Sequence, residues 1–186
     1  MTEEWVIETE RLLFRRMTQS DASYAAALWG DSEVGYYLTD PYYRDAAELL
    51  ETLVDFGAKH GDFSFRAFDR KSGDPVGTCS TGAEGRFGEW GIGYVVERRL
   101  WGRGYAGEMA QAKLDFARAR GVRRFLCTVC TENAASIRVL ERLGFARKGV
   151  WERTVWKLGT TQRLTLHRYL LKPGKKLKQL GKNPKR

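Results

Sequence analysis

Residues 94–107 read YVVERRLWGRGYAG. The run begins with aromatic and β-branched residues typical of a strand, passes through three closely spaced glycines and leads into a segment typical of a helix. Glycine lacks a Cβ atom, so the backbone there can turn sharply and approach a ligand closely. The first N–H groups of the following helix carry partial positive charge. The stretch therefore predicts a binding site for a phosphate or pyrophosphate group.

The same letters also match a dinucleotide fingerprint, with Gly102, Gly104 and Gly107 at the required spacing. In that fold the first glycine follows the opening strand almost directly, and further strand–helix units come after it. Here residues 97–101 separate the strand from Gly102, and too little chain follows to complete a doubly wound sheet. A Walker loop is excluded because no Gly-Lys-Ser/Thr follows. The pattern favours another class of phosphate ligand.

Four stretches, in the same order along the chain, resemble the RimJ/RimL-type branch of the GNAT acetyltransferase superfamily. Residues 101–106, WGRGYA, are similar to its acyl-CoA pyrophosphate loop. Residues 8–22 are similar to the family's first strand and helix, and residues 92–94 to the strand before the loop. Residues 133–145 are similar to its last helix and the segment that leaves it. The resemblance covers roughly residues 8 to 171.

The resemblance implies an α/β (mixed α+β) GNAT fold with a single mixed, mostly antiparallel sheet flanked by helices. The residue pattern agrees. Apolar periodicity predicts helices from Asp21, over about 45–59, over 104–120 and from Asn133 to Leu143. Alternation and turn signals predict strands near 12–14 and at 63–68, 76–81, 89–96, 125–129, 151–156 and 163–171. With 186 residues, of which 42% are hydrophobic, we expect one domain over 1–171.

Residues 172–186 form a basic tail. The chain has a net charge of +9, and seven of the basic residues lie in this tail, which has no acid, so the remainder is nearly neutral. One interpretation is a solvated, flexible segment. The other is a weak electrostatic contact with RNA or the ribosome.

No run of apolar residues approaches membrane-spanning length, and the chain begins with acidic residues rather than with the basic start of a secretion signal. These features predict a cytoplasmic protein without membrane contact. Positions three apart on a strand face opposite sides of the sheet, so Cys127 and Cys130 are poorly placed to share a metal or to form a disulfide. We expect buried thiols and no metal site.

The resemblance implies that acetyl-CoA binds as cosubstrate through backbone groups. In the family, the strand before the loop pairs with the acetyl-pantetheine arm like an added strand, which here implies Tyr94, Val95 and Val96. Amides of the glycine loop hold the pyrophosphate, which here implies Trp101, Gly102, Arg103, Gly104, Tyr105 and Ala106. The alternative is a tight strand-to-helix turn without a ligand.

Asn133 and Ser136 fall on the other wall of the expected cofactor cleft. From the residues alone, both suit the start of a helix, with Ser136 folding back toward the backbone N–H of Asn133. The resemblance implies instead that Ser136 gives the leaving thiolate its proton and that Asn133 hydrogen-bonds the pantetheine. Leu140 stands where many family members place a tyrosine acid, which makes Ser136 the candidate acid.

The general base is where the sequence departs from the family. Many members of the branch have an acid at the position of Gly91, and RimL-type enzymes use one at the position of Val155. Glu89 lies two residues from Gly91 and so on the same face of the strand, which makes it a candidate base acting through water. The alternative for Glu89 is a solvated strand acid.

Tyr36, Tyr37 and Asp40 fall where family members form one wall of the acceptor site, and Trp156 falls on the opposite hairpin. Asp40 would attract the positive charge of an amine. The alternative is that the aromatic residues belong to the core.

Without a strong base, the pKa of the acceptor decides which amines react. At pH 7 about a tenth of an α-amine is neutral, but only about one in 2,500 lysine amines. We therefore expect an acetyl-CoA-dependent N-acetyltransferase that acts by direct attack in a ternary complex on a protein or peptide N-terminal α-amine. Two alternatives stay open: a small amine such as an aminoglycoside as the acceptor, and a noncatalytic protein that binds acyl-CoA. A homodimer also stays open.

Overall fold

The computed structural model describes residues 5–38, 63–84, 88–157 and 160–172. The strands in these ranges form one eight-stranded sheet. Its strands are β1 (Ile7–Glu8), β2 (Leu12–Arg16), β3 (Phe63–Asp69), β4 (Pro75–Ala83), β5 (Trp90–Val96), β6 (Phe125–Cys130), β7 (Ala146–Lys157) and β8 (Thr160–Leu171). The order is β1-β2-β3-β4-β5-β6-β8-β7, and only the β5–β6 pair is parallel. The predicted mixed, mostly antiparallel sheet is confirmed.

Three α-helices accompany the sheet in the described residues: α1 (Ala22–Gly30), α2 (Tyr105–Ala119) and α3 (Ala134–Arg142). All three begin within one residue of the predicted start. None of the helices described here is long and apolar enough to cross a membrane. The helix predicted at about 45–59, the candidate Asp40 and residues 173–186 of the predicted tail lie outside the described residues.

The helices α2 and α3 pack on one face of the sheet, and α1 packs on the other. The two buried clusters both contain residues of α2; one of them joins α2 to β6 and α3, and the other joins it to β2 and β3. Cys79 of β4 belongs to the second cluster. Its neighbour Thr78 therefore points to the other face, where its Oγ1 accepts a 3.0 Å hydrogen bond from the indole N–H of Trp29 in α1. We call these the α2 face and the α1 face.

The final hairpin is longer than predicted. β7 begins at Ala146 rather than at residue 151, and β8 begins at Thr160 rather than at residue 163. The sequence from Arg147 to Gly149 looks like a loop because it is basic and ends in glycine. In the structure this stretch contains a bulge, which an edge strand such as β7 accommodates.

The predicted helix start at Asp21 is confirmed, since α1 begins at the next residue. Asp21 does occupy the position before α1, but its carboxylate makes no capping bond to that helix. It is fully buried and instead accepts hydrogen bonds from Arg15 (2.6 and 2.8 Å), from Arg66 (2.7 Å) and from the backbone N–H of Thr18 (2.9 Å). Asp21 thus ties β2 and β3 to the start of α1.

Burial by itself would raise the pKa of Asp21. The hydrogen bonds from Arg15, Thr18 and Arg66 outweigh burial and hold this pKa well below its usual range. Since the folded-state pKa is lowered, the stabilisation from Asp21 is present above about pH 4 and is lost as the pH falls below that value.

We predict that Asp21→Asn lowers the free energy of unfolding by about 3–5 kcal/mol, because two partly buried guanidinium groups lose their shared anion. The check is urea denaturation at pH 7, with Asp115→Asn as the control. Asp115 is an exposed acid paired with Arg118, so its loss should cost less than about 1 kcal/mol. Equal effects of the two substitutions would contradict this account.

Candidate active site

The site is built around a fork between β5 and β6. These strands pair only at Trp90 with Phe125 and at Gly91 with Leu126, although β5 continues to Val96 and β6 to Cys130. Just beyond the last pair, the thiol of Cys127 donates to the carbonyl of Ile92 across 3.4 Å. Burial raises the pKa of that thiol, so it stays a neutral donor. Past this contact, the β5 edge that includes Tyr94 and Val95 borders the gap, as an added strand requires.

The glycine turn lies at the carboxyl end of β5. Gly102 and Gly104 have φ values of +77° and +82°, which other residues rarely adopt. Gly104 precedes α2, and the first intrahelical bond runs from the N–H of Glu108 to the carbonyl of Gly104. The N–H groups of residues 105–107 are therefore left for an anion. The predicted glycine turn is present, and pyrophosphate binding at it stays a prediction.

Arg11 holds this turn in place, which the sequence analysis did not foresee. Its guanidinium donates to the carbonyl of Arg103 (2.9 Å) and to the carboxylate of Glu108 (2.7 Å), and it stacks on the ring of Tyr105 at 4.5 Å. The Tyr105 hydroxyl donates to Asp69 at 2.7 Å. Glu108 would otherwise place a negative charge beside the free N–H groups, and Arg11 neutralises it. Because Arg11 lies 92 residues before Arg103, no local pattern reveals the contact.

Trp101 closes the turn against the strand. Its indole N–H donates to the carbonyl of Val96 at 2.8 Å, while the side chain as a whole is half exposed. Two exposed arginines beside the turn, Arg98 and Arg99, pair with Glu33 and Glu97.

Ser136 lies on the α2 face of the fork, in the first turn of α3. Asn133 begins this helix as predicted, and its Oδ1 accepts a 3.0 Å bond from the backbone N–H of Ser136. The capping alternative for the Ser136 hydroxyl is wrong, because the N–H of Asn133 donates to Cys130 instead. The Ser136 Oγ lies 2.8 Å from the hydroxyl of Tyr94 on β5. The structure therefore joins two residues that the sequence assigned to separate roles.

Tyr94 keeps its proton in this pair. Burial raises the pKa of its phenol well above the usual value, and the hydrogen bond with Ser136 only partly offsets that effect. When the phenol donates to Ser136, the Ser136 hydroxyl can donate to a third group in the fork. Leu140, at the position of the family's tyrosine acid, is buried in the core.

Glu89 is placed differently from the solvated acid that was one of its two interpretations. It lies just before β5, its side chain is only 6% exposed, and it pairs with Arg124 at 2.8 Å. Val155, at the position of the acid in RimL-type enzymes, is buried in β7. The role of Glu89 as a general base stays a prediction. Protonation of Glu89 would break its ion pair with Arg124.

On the acceptor side, Tyr36 and Tyr37 form a short turn after α1 and pack edge to face at 4.8 Å. Tyr36 is 47% exposed, and its hydroxyl lies 3.4 Å from a carboxylate oxygen of Glu132, between β6 and α3. The negative charge of Glu132 raises the pKa of the Tyr36 phenol. This contact joins the segment after α1 to the carboxyl end of β6. Trp156 belongs to β7, and its side chain lies outside the described residues.

We predict that Arg11→Ala weakens acetyl-CoA binding by about 10–100-fold, the equivalent of one lost charge-assisted interaction at the turn. The measurement is titration calorimetry. Arg118→Ala removes a guanidinium at the far end of α2 and serves as the matched control. Unchanged affinity in a folded Arg11→Ala protein would show that the turn does not need this brace.

Comparisons with known proteins agree with this geometry. Residues 11–146 match the acetyltransferase (GNAT) domain family. The protein called uncharacterized N-acetyltransferase p20 of Bacillus licheniformis is 29% identical over 147 residues, which cover 76% of this chain and 83% of that protein.

Two solved structures share the fold. One is RimL, the ribosomal L7/L12 alpha-N-protein acetyltransferase in complex with coenzyme A, with a TM-score of 0.74, 19% identity and coverage of 91% and 98% of the two chains. The other is the spermidine N-acetyltransferase of Vibrio cholerae in complex with CoA and spermine, with a TM-score of 0.75, 16% identity and coverage of 88% and 96%. The chain belongs to the GNAT family and is an acetyl-CoA-dependent N-acetyltransferase.

Proposed function

We propose that the protein transfers the acetyl group of acetyl-CoA to the N-terminal α-amine of a protein or peptide, by direct attack in a ternary complex. The observation that carries the proposal is the Tyr94–Ser136 hydroxyl pair beside the fork. It supplies a proton donor at the place where an acyl donor paired with β5 would release its thiolate. Such a step needs neither a metal nor a covalent enzyme intermediate.

Ser136 protonates the departing sulfur in this proposal. Tyr94 donates to Ser136, which orients the serine hydroxyl toward the fork. Acetyl-CoA supplies the thioester, and the backbone N–H groups of β5 and of the glycine turn hold it. Asn133 fixes the first turn of α3 through its bond to the Ser136 N–H. The Ser136 hydroxyl is therefore held in position before the substrate binds.

The acceptor class is supported by two features. No acid stands at position 91 or 155 itself, so a base has to act from another residue and through water, which favours an amine that is already partly neutral at pH 7. Tyr36 is exposed beside Glu132 at the open end of the fork, where an aromatic ring and a carboxylate can receive the first residues of a peptide and its charged amine. RimL, which shares the fold, acts on such an α-amine.

A small polycationic amine is the second candidate. The Glu132 carboxylate favours it, since it would attract any cation, and the spermidine acetyltransferase shares the fold. The two candidates differ in the pKa of the reacting amine.

The test is a screen for release of the CoA thiol. We expect the highest kcat/KM with short peptides that have a free α-amine, and none with the same peptides acetylated at the N-terminus. Higher kcat/KM with polyamines or aminoglycosides would favour the second candidate. Binding of acetyl-CoA without thiol release across the panel would contradict both.

A second prediction concerns the proton donor. Ser136→Ala should lower kcat by about 10²–10⁴-fold with unchanged acetyl-CoA affinity and a normal melting temperature, because the thiolate then leaves unprotonated. Tyr94→Phe should lower kcat less, since Ser136 keeps its hydroxyl. A near wild-type rate for Ser136→Ala would mean that the thiolate takes its proton from water.

A further inference from the structure

Gly91 leaves a space that the carboxylate of Glu84 fills. A Cβ atom built on Gly91 would collide with Glu84 Oε2 and would come within 3.0 Å of the carboxyl carbon. Glu84 directly follows β4, and its backbone N–H bonds the carbonyl of Glu89 at 3.0 Å, so it continues the β4–β5 ladder. Its carboxylate and a side chain at position 91 therefore exclude each other.

The alternation of β4 and β5 shows which face this carboxylate occupies. Thr78 of β4 faces α1, and Ser80, Gly82 and Glu84 follow it at every second position. A Cβ atom on Gly93 would lie 3.0 Å from Ser80 Oγ, so Gly93 and Gly91 share this α1 face. Tyr94 points the other way, to Ser136. The Glu84 carboxylate and the Ser136 hydroxyl thus lie on opposite faces of the sheet beside the same fork.

We propose that Glu84 is the general base of the acetyl transfer and reaches the reaction centre through the space left by Gly91. This inference rests on the proposed direct attack on an amine. Gly93 lies about 7 Å along β5 from Gly91, where the carboxylate sits, so the proton passes from the amine to Glu84 through bridging water. Glu84 is exposed on this face, so an acceptor amine and water can reach it.

The charged and titratable groups around Glu84 fit this role. Glu89 stands opposite Glu84 on the ladder and is paired with Arg124. From β6, the buried Cys127 thiol feels the charge of Glu84, which adds to the effect of burial in raising the Cys127 pKa. The negative charge of Glu84 therefore extends to the fork itself.

The protons balance as follows. Glu84 takes one proton from the acceptor ammonium and passes it to solvent, which leaves a neutral amine. The amine nitrogen forms a bond to the acetyl carbon, and the bond from that carbon to sulfur breaks. The thiolate receives a proton from Ser136, and the second proton of the nitrogen restores the serine hydroxyl through water. The products are the amide, CoA thiol and one proton.

The experiment measures kcat/KM against pH with the fastest acceptor from the amine screen, in the wild type and in variants of Glu84, Gly91 and Glu89. Glu84→Gln should lower kcat/KM at pH 7 by about 10²-fold, and the loss should shrink as the pH passes the acceptor's own pKa. Gly91→Ala should act in the same direction, because its methyl group displaces the carboxylate. The same Gly91→Ala change added to Glu84→Ala should have no further effect.

A double variant moves the acid rather than removing it. Glu84→Ala combined with Gly91→Glu should recover at least about tenfold of the loss, a result that a purely structural role for Glu84 does not predict. A wild-type rate and pH profile for Glu84→Gln would overturn the inference, as would a pH shift seen only with Glu89→Gln. An inactive wild type would overturn the proposed function and this inference with it.

Discussion

The structure depends on the early separation of β5 and β6, the only parallel pair in the described sheet. Parallel strands have their carboxyl ends at the same edge, so the helices that follow β5 and β6 begin side by side there. The start of α2 supplies free N–H groups after Gly104, and the start of α3 supplies Ser136. A gap between two paired strands thus has the start of α2 and the Ser136 hydroxyl at its rim.

The two faces of the sheet divide the chemistry. On the α2 face, the partly buried Tyr94 keeps its proton and lies within hydrogen-bonding distance of Ser136. On the α1 face, Gly91 and Gly93 leave the strand without side chains, and the Glu84 carboxylate uses that space. An acid and a base on one face could neutralise each other by direct proton exchange. In the proposed mechanism the fork separates them, so that Ser136 faces the leaving sulfur and Glu84 faces the attacking amine.

The sequence revealed what local patterns encode. Alternation and helix-start residues located most of the strands and the starts of all three described helices, and the glycine spacing located the turn before α2. The contacts that complete the site were not predictable in this way, because they join distant segments. Arg11 reaches Arg103, and Tyr94 meets Ser136. Position 91 illustrates the limit: a glycine reads as a missing acid, whereas in three dimensions the acid of residue 84 occupies its place.

The proposed mechanism places the acyl donor in the fork, with Ser136 on one side and Glu84 on the other. A crystal structure with a bisubstrate analogue, in which CoA is joined to a peptide α-amine, tests it directly. We expect the CoA sulfur within hydrogen-bonding distance of Ser136 Oγ, the pyrophosphate on the N–H groups of residues 105–107, and the peptide nitrogen on the side of Glu84. A nitrogen on the α2 face, or a sulfur remote from Ser136, would contradict the account.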